Sequence, residues 1–414
     1  MSRKYRIAVA GFGVAGAAAA AMLAQAGHSV TVFEQAPELL PVGHGILLQV
    51  SGQIVLKRLG LLRIVTAQSE PLDGVHVQSA TGRTFLRLRY EEAMPGYRGY
   101  GVSRAVLMEA LKFAADRAGV EVVTGVEVAD WFEENNGVEL VSGTAELLGH
   151  FDFIIAADGS RSRLRGRCFP VLKVPEYSYG AFWITGKSTQ VRGHLKQVVY
   201  GSERLLGILP VGDGNCTLFW GLHKTAMEGA RIRGVDDWCS LVEEYCPEAR
   251  EILSDVYNWE RVVPATYRRC SLDTIFTRNA VFIGDAAHSM SPHLGQGANL
   301  GLMDAALLTD ALETTNSFEE AAAAMQRSQH GMVRYYYGLS RWLSPFFQTD
   351  ATPLAWARDI ALPVMNKVSP VRKVMTKSMA GVKQGMFSSI DYTNLLPASV
   401  KKPARQENPE NTTS

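Results

Sequence analysis

Residues 5–34 constrain this chain more than any other stretch, because a strand, a glycine turn, a helix and a second strand follow one another in register. Tyr5 to Ala10 is apolar and partly β-branched, and it stops at Gly11-Phe12-Gly13-Val14-Ala15-Gly16. The alanine-rich segment Ala17 to Ala26 has high helix propensity and is closed by Gly27. Ser29 to Phe33 then forms a second β-branched strand ending in Glu34. Glycines at 11, 13 and 16 allow a tight turn and a close backbone approach to a pyrophosphate, whose charge meets the free N–H groups of the helix N-terminus. Glu34 lies 18 positions past Gly16, near the spacing at which a carboxylate bonds ribose hydroxyls and disfavours a 2′-phosphate. The bound nucleotide is therefore expected to be FAD or NAD rather than NADP, and this stretch does not separate the two.

A chain of 414 residues, 47% of them hydrophobic, can fill the cores of two or three domains. Its formal net charge is +1, with lysine and arginine spread among acids. No basic stripe results, which argues against a nucleic-acid partner and for small-molecule chemistry. Met1-Ser2-Arg3-Lys4 leads straight into the first strand, so no signal peptide is expected and the chain is read as cytoplasmic. Cys168, Cys216, Cys239, Cys246 and Cys270 form an odd set without a CxxC pair, the pattern of reduced and chemically silent thiols. Asn411-Thr412-Thr413 matches a glycosylation acceptor that such a location leaves unused.

Beyond Glu34, Pro37 and Pro41 interrupt regular structure. The loop Val42-Gly43-His44-Gly45-Ile46 can bring bare backbone against a planar ring, with His44 as its titratable group, ahead of a helix from Gln53 to Leu59. A strand pair, His76 to Ser79 and Thr84 to Leu88, reads as an excursion from the nucleotide domain. Ser103 is a candidate N-cap, and Arg104 falls in the first helical turn, where a cation needs an anion to meet. After Val120 to Val123 comes a hairpin of Val126 to Phe132 with Gly137 to Val141. The apolar run Phe151 to Ala157 then delivers Asp158-Gly159 at its carboxyl end, where ligands bind in parallel sheets.

Residues 170–270 change character. Runs at Gly180 to Ile184, Gln197 to Tyr200, Leu205 to Pro210 and Cys216 to Trp220, with a turn at Gly212-Asp213-Gly214-Asn215, predict an inserted antiparallel sheet. Trp183, Tyr200, Trp220 and Tyr267 could line an apolar pocket or form ordinary sheet core. A helix around Trp238 to Tyr245 and the segment Glu260 to Tyr267 return the chain. Asn279 to Ile283 is one more strand, and Gly284-Asp285 with the loop Pro292-His293-Leu294-Gly295-Gln296-Gly297 feeds a long helix. That helix N-terminus carries about half a positive charge.

With three motifs in this order, the sequence resembles the class A flavoprotein aromatic hydroxylases of the para-hydroxybenzoate hydroxylase type, over roughly residues 5–345. The resemblance implies a Rossmann-like α/β FAD-binding domain (GR2-type) made of 1–74, 98–168 and 271–340. It further implies a substrate-binding β-sheet domain made of 75–97 and 169–270, C-terminal helices over 341–400 and a disordered tail over 401–414. Gly11, Gly13, Val14, Ala15 and Gly16, with Glu34 and Gln35, match the FAD fingerprint. Asp158-Gly159, with Ser162 and Arg165, matches the second motif, linked with both FAD and the visiting nicotinamide nucleotide. Gly284-Asp285, with Pro292, Gly295, Gln296, Gly297, Ala298 and Asn299, matches the third, whose aspartate is expected to bond the ribityl chain. Arg104 fits the family arginine near the FAD phosphates. His44 and Gly45 stand where relatives often carry a flavin-facing arginine or small residue, so His44 and Pro292 are near-flavin candidates and no catalytic base is named.

The activity so implied is hydroxylation of an aromatic or polycyclic small molecule. NADPH or NADH reduces bound FAD, and dioxygen then forms a flavin carbon-4a hydroperoxide that transfers the oxygen. Competing readings are a geranylgeranyl-reductase-like flavoprotein and a non-catalytic FAD-fold ligand-binding protein, while a halogenase lacks its Trp-x-Trp-x-Ile-Pro motif here. The C-terminal part also resembles ubiquinone-biosynthesis hydroxylases. Between Ala361 and Ile390 the only charges are Lys367, Arg372, Lys373, Lys377 and Lys383, a basic amphipathic pattern that suits a peripheral membrane contact or packing on the protein itself. The protein is expected as a monomer or dimer.

Overall fold

The computed structural model describes residues 3–39, 44–134, 136–201, 203–348 and 352–393. Its central sheet has five parallel strands in the order Ala280–Phe282, Phe153–Ala156, Arg6–Ala10, Ser29–Glu34, Glu121–Thr124. Strands of this sheet are covered on both faces, which is why Ile7, Val9, Ile154, Ile155 and Val281 are fully buried in near-continuous apolar runs. Helix Val14–Gln25 is buried along its alanines, between the sheet and the helices Arg104–Arg117 and Gly297–Thr314. Small side chains are needed there: a Cβ added at Gly301 would lie 3.0 Å from the Ala15 Cβ.

Several elements differ in extent from the sequence reading. The first helix after the loop runs Val50–Arg58, starting three residues earlier than expected. The apolar run 151–157 divides at Asp152, whose carboxylate accepts the Arg6 N–H at 2.7 Å. Its start belongs to Leu147–Phe151, a third antiparallel strand beside Gly137–Ser142 and Val128–Glu134, and its end to the central sheet. Ser103 does precede helix Arg104–Arg117, but its side chain makes no capping hydrogen bond.

A second sheet has seven strands in the order Val263–Arg268, Glu176–Lys187, Asn215–His223, Arg204–Gly212, His194–Tyr200, Gly74–Ser79, Thr84–Arg89. Its pairings are antiparallel except at one junction, where Gly74–Ser79 runs parallel to His194–Tyr200 and joins the early excursion to the late one. Alternation separates its faces. Phe182, Ile184, Leu206, Ile208, Leu218 and Trp220 pack beneath helices Lys224–Arg233 and Val235–Tyr245. Trp183, Leu205 and Phe219 point the other way, towards the rest of the molecule.

A small sheet, Gly45–Leu48, Gly99–Ser103 and Glu70–Leu72, links the two large ones. A Cβ at Gly101 would stand 1.8 Å from the Pro210 carbonyl oxygen, so only glycine lets this strand lie on the large sheet. Helices Phe318–Phe347, Thr352–Lys367 and Ser369–Met379 complete the described chain. The basic segment read over 361–390 spans the end of one helix, the whole of another and a coil, and its Met379 and Val382 turn inward. No helix of the described residues is long and apolar enough to cross a membrane. Val42, Gly43 and residues 394–414, including the expected tail, lie outside the described residues.

Candidate active site

The three glycines of the first turn do three different things. A Cβ at Gly11, where φ is +101°, would meet the Ala157 carbonyl oxygen at 2.6 Å, and one at Gly16 would meet the Gly11 carbonyl oxygen at 2.0 Å. Both hold the turn against the next strand and the helix. A Cβ at Gly13 would meet nothing within 4 Å, and neither would one at Gly159, so the turn and the Asp158-Gly159 loop both border open space. This is the cradle that a pyrophosphate group fits, at the N-terminus of helix Val14–Gln25. Glu34 accepts the N–H groups of Phe12 at 2.7 Å and Ala36 at 2.9 Å, which fixes its carboxylate beside the turn with lone pairs to spare for a ribose. Gln35, next to it, is exposed.

Two loops close around this cradle. Asp158 Oδ2 accepts the Leu164 N–H at 3.2 Å, Oδ1 has no partner among the described residues, and burial pushes the carboxyl pKa up. Ser162 caps helix Arg163–Cys168 through the Arg165 N–H. The Arg165 side chain is only 3% exposed and donates to the carbonyls of Ser160 at 2.8 Å and Ala286 at 2.9 Å. Gly284 turns with φ of +58°, and its N–H donates to Asp304 Oδ2 at 2.7 Å. The same oxygen accepts His288 Nε2 at 2.6 Å, and Gln329 donates to the other oxygen. Burial alone would lower the His288 pKa, but the charge and hydrogen bond of Asp304 outweigh it and leave the pKa raised.

Asp285 keeps an accessible surface, yet enough protein surrounds it that desolvation raises its carboxyl pKa against the opposing charges of His288, Arg104 and Arg165. Both conditions hold for a group on a cleft floor. Burial also lowers the Arg104 pKa, which the charge of Asp285 partly offsets.

Beyond the cradle, the loop Pro292–Leu294 faces the large sheet. Trp183, Phe219, Tyr267, Pro292, His293 and Gln348 line a small cavity of about 30 Å³. Trp183 Nε1 donates to the Tyr267 hydroxyl at 2.8 Å, and burial pushes that phenol up to about 12. Burial pushes His293 down to about 4, and the same cause, with the charge of Arg104, pushes His44 to about 4. Both imidazoles are therefore neutral near pH 7. His44 Nδ1 lies 3.3 Å from Thr185 Oγ1, its ring stacks on Trp183 with centroids 5.7 Å apart, and Nε2 has no partner among the described residues. Gly45 donates its N–H to Thr217 Oγ1 at 2.9 Å.

A family model described as FAD binding domain matches residues 4–322. The chain is 31% identical over 343 residues to 3-amino-4-hydroxybenzoate 2-monooxygenase of Streptomyces cremeus, covering 79% of this chain and 84% of that one. It is 30% identical over 354 residues, with the same coverages, to a probable 2-heptyl-3-hydroxy-4(1H)-quinolone synthase of Rhodococcus erythropolis. Klebsiella pneumoniae HpxO, solved with FAD and uric acid, shares the fold at a TM-score of 0.76 and 20% identity, covering 91% of this chain and 97% of that one.

The chain belongs to the FAD-dependent aromatic monooxygenases.

In this flavoprotein the cradle between Gly13, Glu34, Arg104, Asp158 and Asp285 suits FAD by its open glycines, its paired charges and its unpartnered Asp158 oxygen. Not every motif residue points its side chain there. Asn299 is fully buried: Oδ1 accepts the Gln49 N–H at 2.8 Å, and Nδ2 donates to the carbonyls of Leu47 and Gly295, both at 2.9 Å. Gln296 donates from Nε2 to the Met379 carbonyl at 2.7 Å. These two side chains fasten the loop, and a Cβ at Gly297 would stand 3.7 Å from Asp285 Oδ1. Val14 and Gly284 are buried and Ala15 is partly buried, so they shape the turns. Of the four aromatics, Trp183 and Tyr267 reach the cavity, Trp220 lies in the opposite core, and Tyr200 is 46% exposed against Tyr245. Asp304, His288 and Gln329 were not legible as a unit, since their spacing carries no motif of its own. Strand alternation through 182–185 could have singled out Trp183.

Proposed function

We propose that this protein uses NADPH or NADH and dioxygen to hydroxylate an electron-rich aromatic ring of a small molecule, with an uncharged bicyclic ring such as a 4-quinolone as its substrate class. The observation that carries this is the chemistry of the wall beside Pro292, and not the volume of about 30 Å³ open there, which is smaller than a bicyclic ring. The wall is built from aromatic and glycine surfaces, with a phenol, an amide and neutral imidazole as its polar groups and no arginine or lysine among the described residues. A benzoate would need a cation for its carboxylate; a quinolone needs flat apolar walls and one or two hydrogen bonds.

FAD, when bound, would pass electrons from the nicotinamide nucleotide to dioxygen, which provides the transferred oxygen atom. The protein's own residues bind and shield. Arg104 and the helix N-terminus after Gly13 hold the phosphates, Glu34 a ribose, and Asp285 the chain leading to the flavin ring. Trp183, Phe219 and Pro292 exclude water from the reacting face. Neutral His293 and the Tyr267 hydroxyl orient the ring.

The test is NAD(P)H oxidation and dioxygen uptake by the yellow protein as phenols, quinolones and polycyclic aromatics are added singly, with products read by mass spectrometry. Stimulation with an oxygenated product supports the proposal. Reduction of an isoprenoid double bond without dioxygen uptake moves it to the reductase reading, and a protein that never takes up FAD moves it to the binding-protein reading.

We further propose a cytoplasmic protein with peripheral membrane contact through helix Thr352–Lys367. Trp356, Ile360 and Val364 repeat every four residues on its outer face, 67%, 68% and 58% exposed, with Lys367 at the end of the same helix.

A further inference from the structure

A much larger cavity, about 440 Å³, lies between the large sheet and the C-terminal helices. One wall is Val75, Leu86 and Leu195 of the sheet, and the other is Leu343, Leu362 and Met379 of the helices. The size falls within the range of small-molecule sites. His293 and Leu205 line both this chamber and the small cavity beside Pro292, so they form a shared wall, and Leu47 and Leu294 extend the chamber to the same loop.

Of the chamber's polar side chains, Ser378, Tyr335 and Arg358 are engaged by the protein, and Gln197 adds one amide to the sheet wall. Ser378 Oγ donates to the Val374 carbonyl at 2.9 Å and lies 2.6 Å from the Tyr335 hydroxyl. Arg358 donates to the Phe346 carbonyl at 3.0 Å and to Asp359 at 2.8 Å. No charged side chain there is left free to recruit a charged ligand, and close-packed interiors leave few spaces of this size unfilled. An apolar occupant fits, and it must reach the shared wall at His293.

We infer that the substrate carries an aliphatic tail, alkyl or isoprenoid, that lies in this chamber with its ring end at the shared wall of His293 and Leu205, the space of about 30 Å³ beside Pro292 being too small to take the ring itself. The inference rests on the hydroxylase reading above. Ala357 and Ala361 line the chamber and are exposed, so a tail that outgrows it emerges between them. Tail burial then sets affinity.

The experiment titrates the FAD-loaded enzyme with 4-quinolones bearing methyl, pentyl, heptyl or nonyl at carbon 2, reading Kd from flavin absorbance, and measures NAD(P)H oxidation with each. Kd should fall by roughly two- to fourfold per added methylene until the tail reaches the mouth. Ala361→Trp, a change at an exposed position of the lining, should end that fall at a shorter tail. A Kd independent of chain length, with methyl and heptyl compounds both turned over, overturns the inference and leaves the hydroxylase reading intact. A steep chain-length dependence without stimulated oxidation supports the chamber and overturns the choice of ring. Absence of binding by every member overturns the inference.

Discussion

Arg165 donates from Nη1 to the carbonyl of Ala286 at 2.9 Å, spanning 121 positions of chain to tie the two loops around the flavin cradle. Its Nη2 holds Ser160 on the other side at 2.8 Å. A planar fork can serve both loops at once, and a lysine cannot. Arg165→Met should lower stability by about 3 kcal/mol and weaken FAD binding, with Arg165→Lys recovering only part of either. Thermal denaturation and fluorimetric FAD titration check it; wild-type FAD affinity in Arg165→Met would show that the loops do not need the tie.

Gly13 and Gly16 separate cofactor binding from folding. Gly13 has ordinary extended dihedrals and open space around its missing Cβ, so Gly13→Ala should fold normally yet bind FAD at least about tenfold more weakly, the methyl group standing where the pyrophosphate approaches. Gly16→Ala should instead destabilise the apoprotein by about 1–3 kcal/mol, because its Cβ meets the Gly11 carbonyl oxygen. Urea melts of the two apoproteins distinguish them.

Asp304 accepts from Gly284, His288 and Gln329 at a site with no solvent access. Asp304→Ala leaves three donors, one of them a raised-pKa histidine, without their acceptor, and should cost about 3–5 kcal/mol. Because Gly284 immediately precedes Asp285, FAD content should fall even where the variant remains folded. Far-ultraviolet dichroism alongside the flavin-to-protein absorbance ratio reads both.

His76 lies against His194 with ring centroids 4.0 Å apart, and Arg87 donates to its Nε2 at 3.0 Å. Burial first, then the charges of His194 and Arg87, push its pKa down to about 4. A histidine in the unfolded chain titrates near 6.5. The contribution of His76 is therefore complete above about pH 6.5 and is lost as pH falls towards 4, because the unfolded state takes up the proton first. His44 and His293 act in the same direction. Urea melts between pH 7.5 and 4.5 should show proton uptake on unfolding, and His76→Gln should reduce that slope by up to one proton.

The stripe Trp356, Ile360, Val364 gives the membrane proposal its handle. Replacing all three by serine should abolish cosedimentation with anionic vesicles while turnover of a short, soluble substrate continues. Equal sedimentation of variant and wild type would remove the stripe from consideration.

Much of the cradle was legible in the sequence because its constraints are local: glycines that a turn requires, an acid at the end of a strand, and a helix beginning where an anion binds. The same locality explains the rest. Asn299 reads as a cofactor ligand from its place in a motif, but its partners Gln49 and Leu47 come from 250 residues away and claim the side chain. The basic pattern after Ala361 suggests a membrane face, yet Met379 and Val382 bury against the protein, and the apolar stripe lies one helix earlier. The chamber could not be anticipated, since its walls join strands from the first quarter and the middle of the chain to helices from its end.

The parallel junction between Gly74–Ser79 and His194–Tyr200 has a consequence for synthesis of the chain. His194 follows Arg89 by 105 positions, so the early hairpin leaves the ribosome with one edge unpaired. At ordinary elongation rates that edge waits roughly 5–20 s for its partner strand. An open apolar hairpin is a template for the wrong neighbour throughout that interval. Aggregation during expression should therefore respond to translation speed across residues 90–194, a region that contributes no strand to that sheet before Glu176.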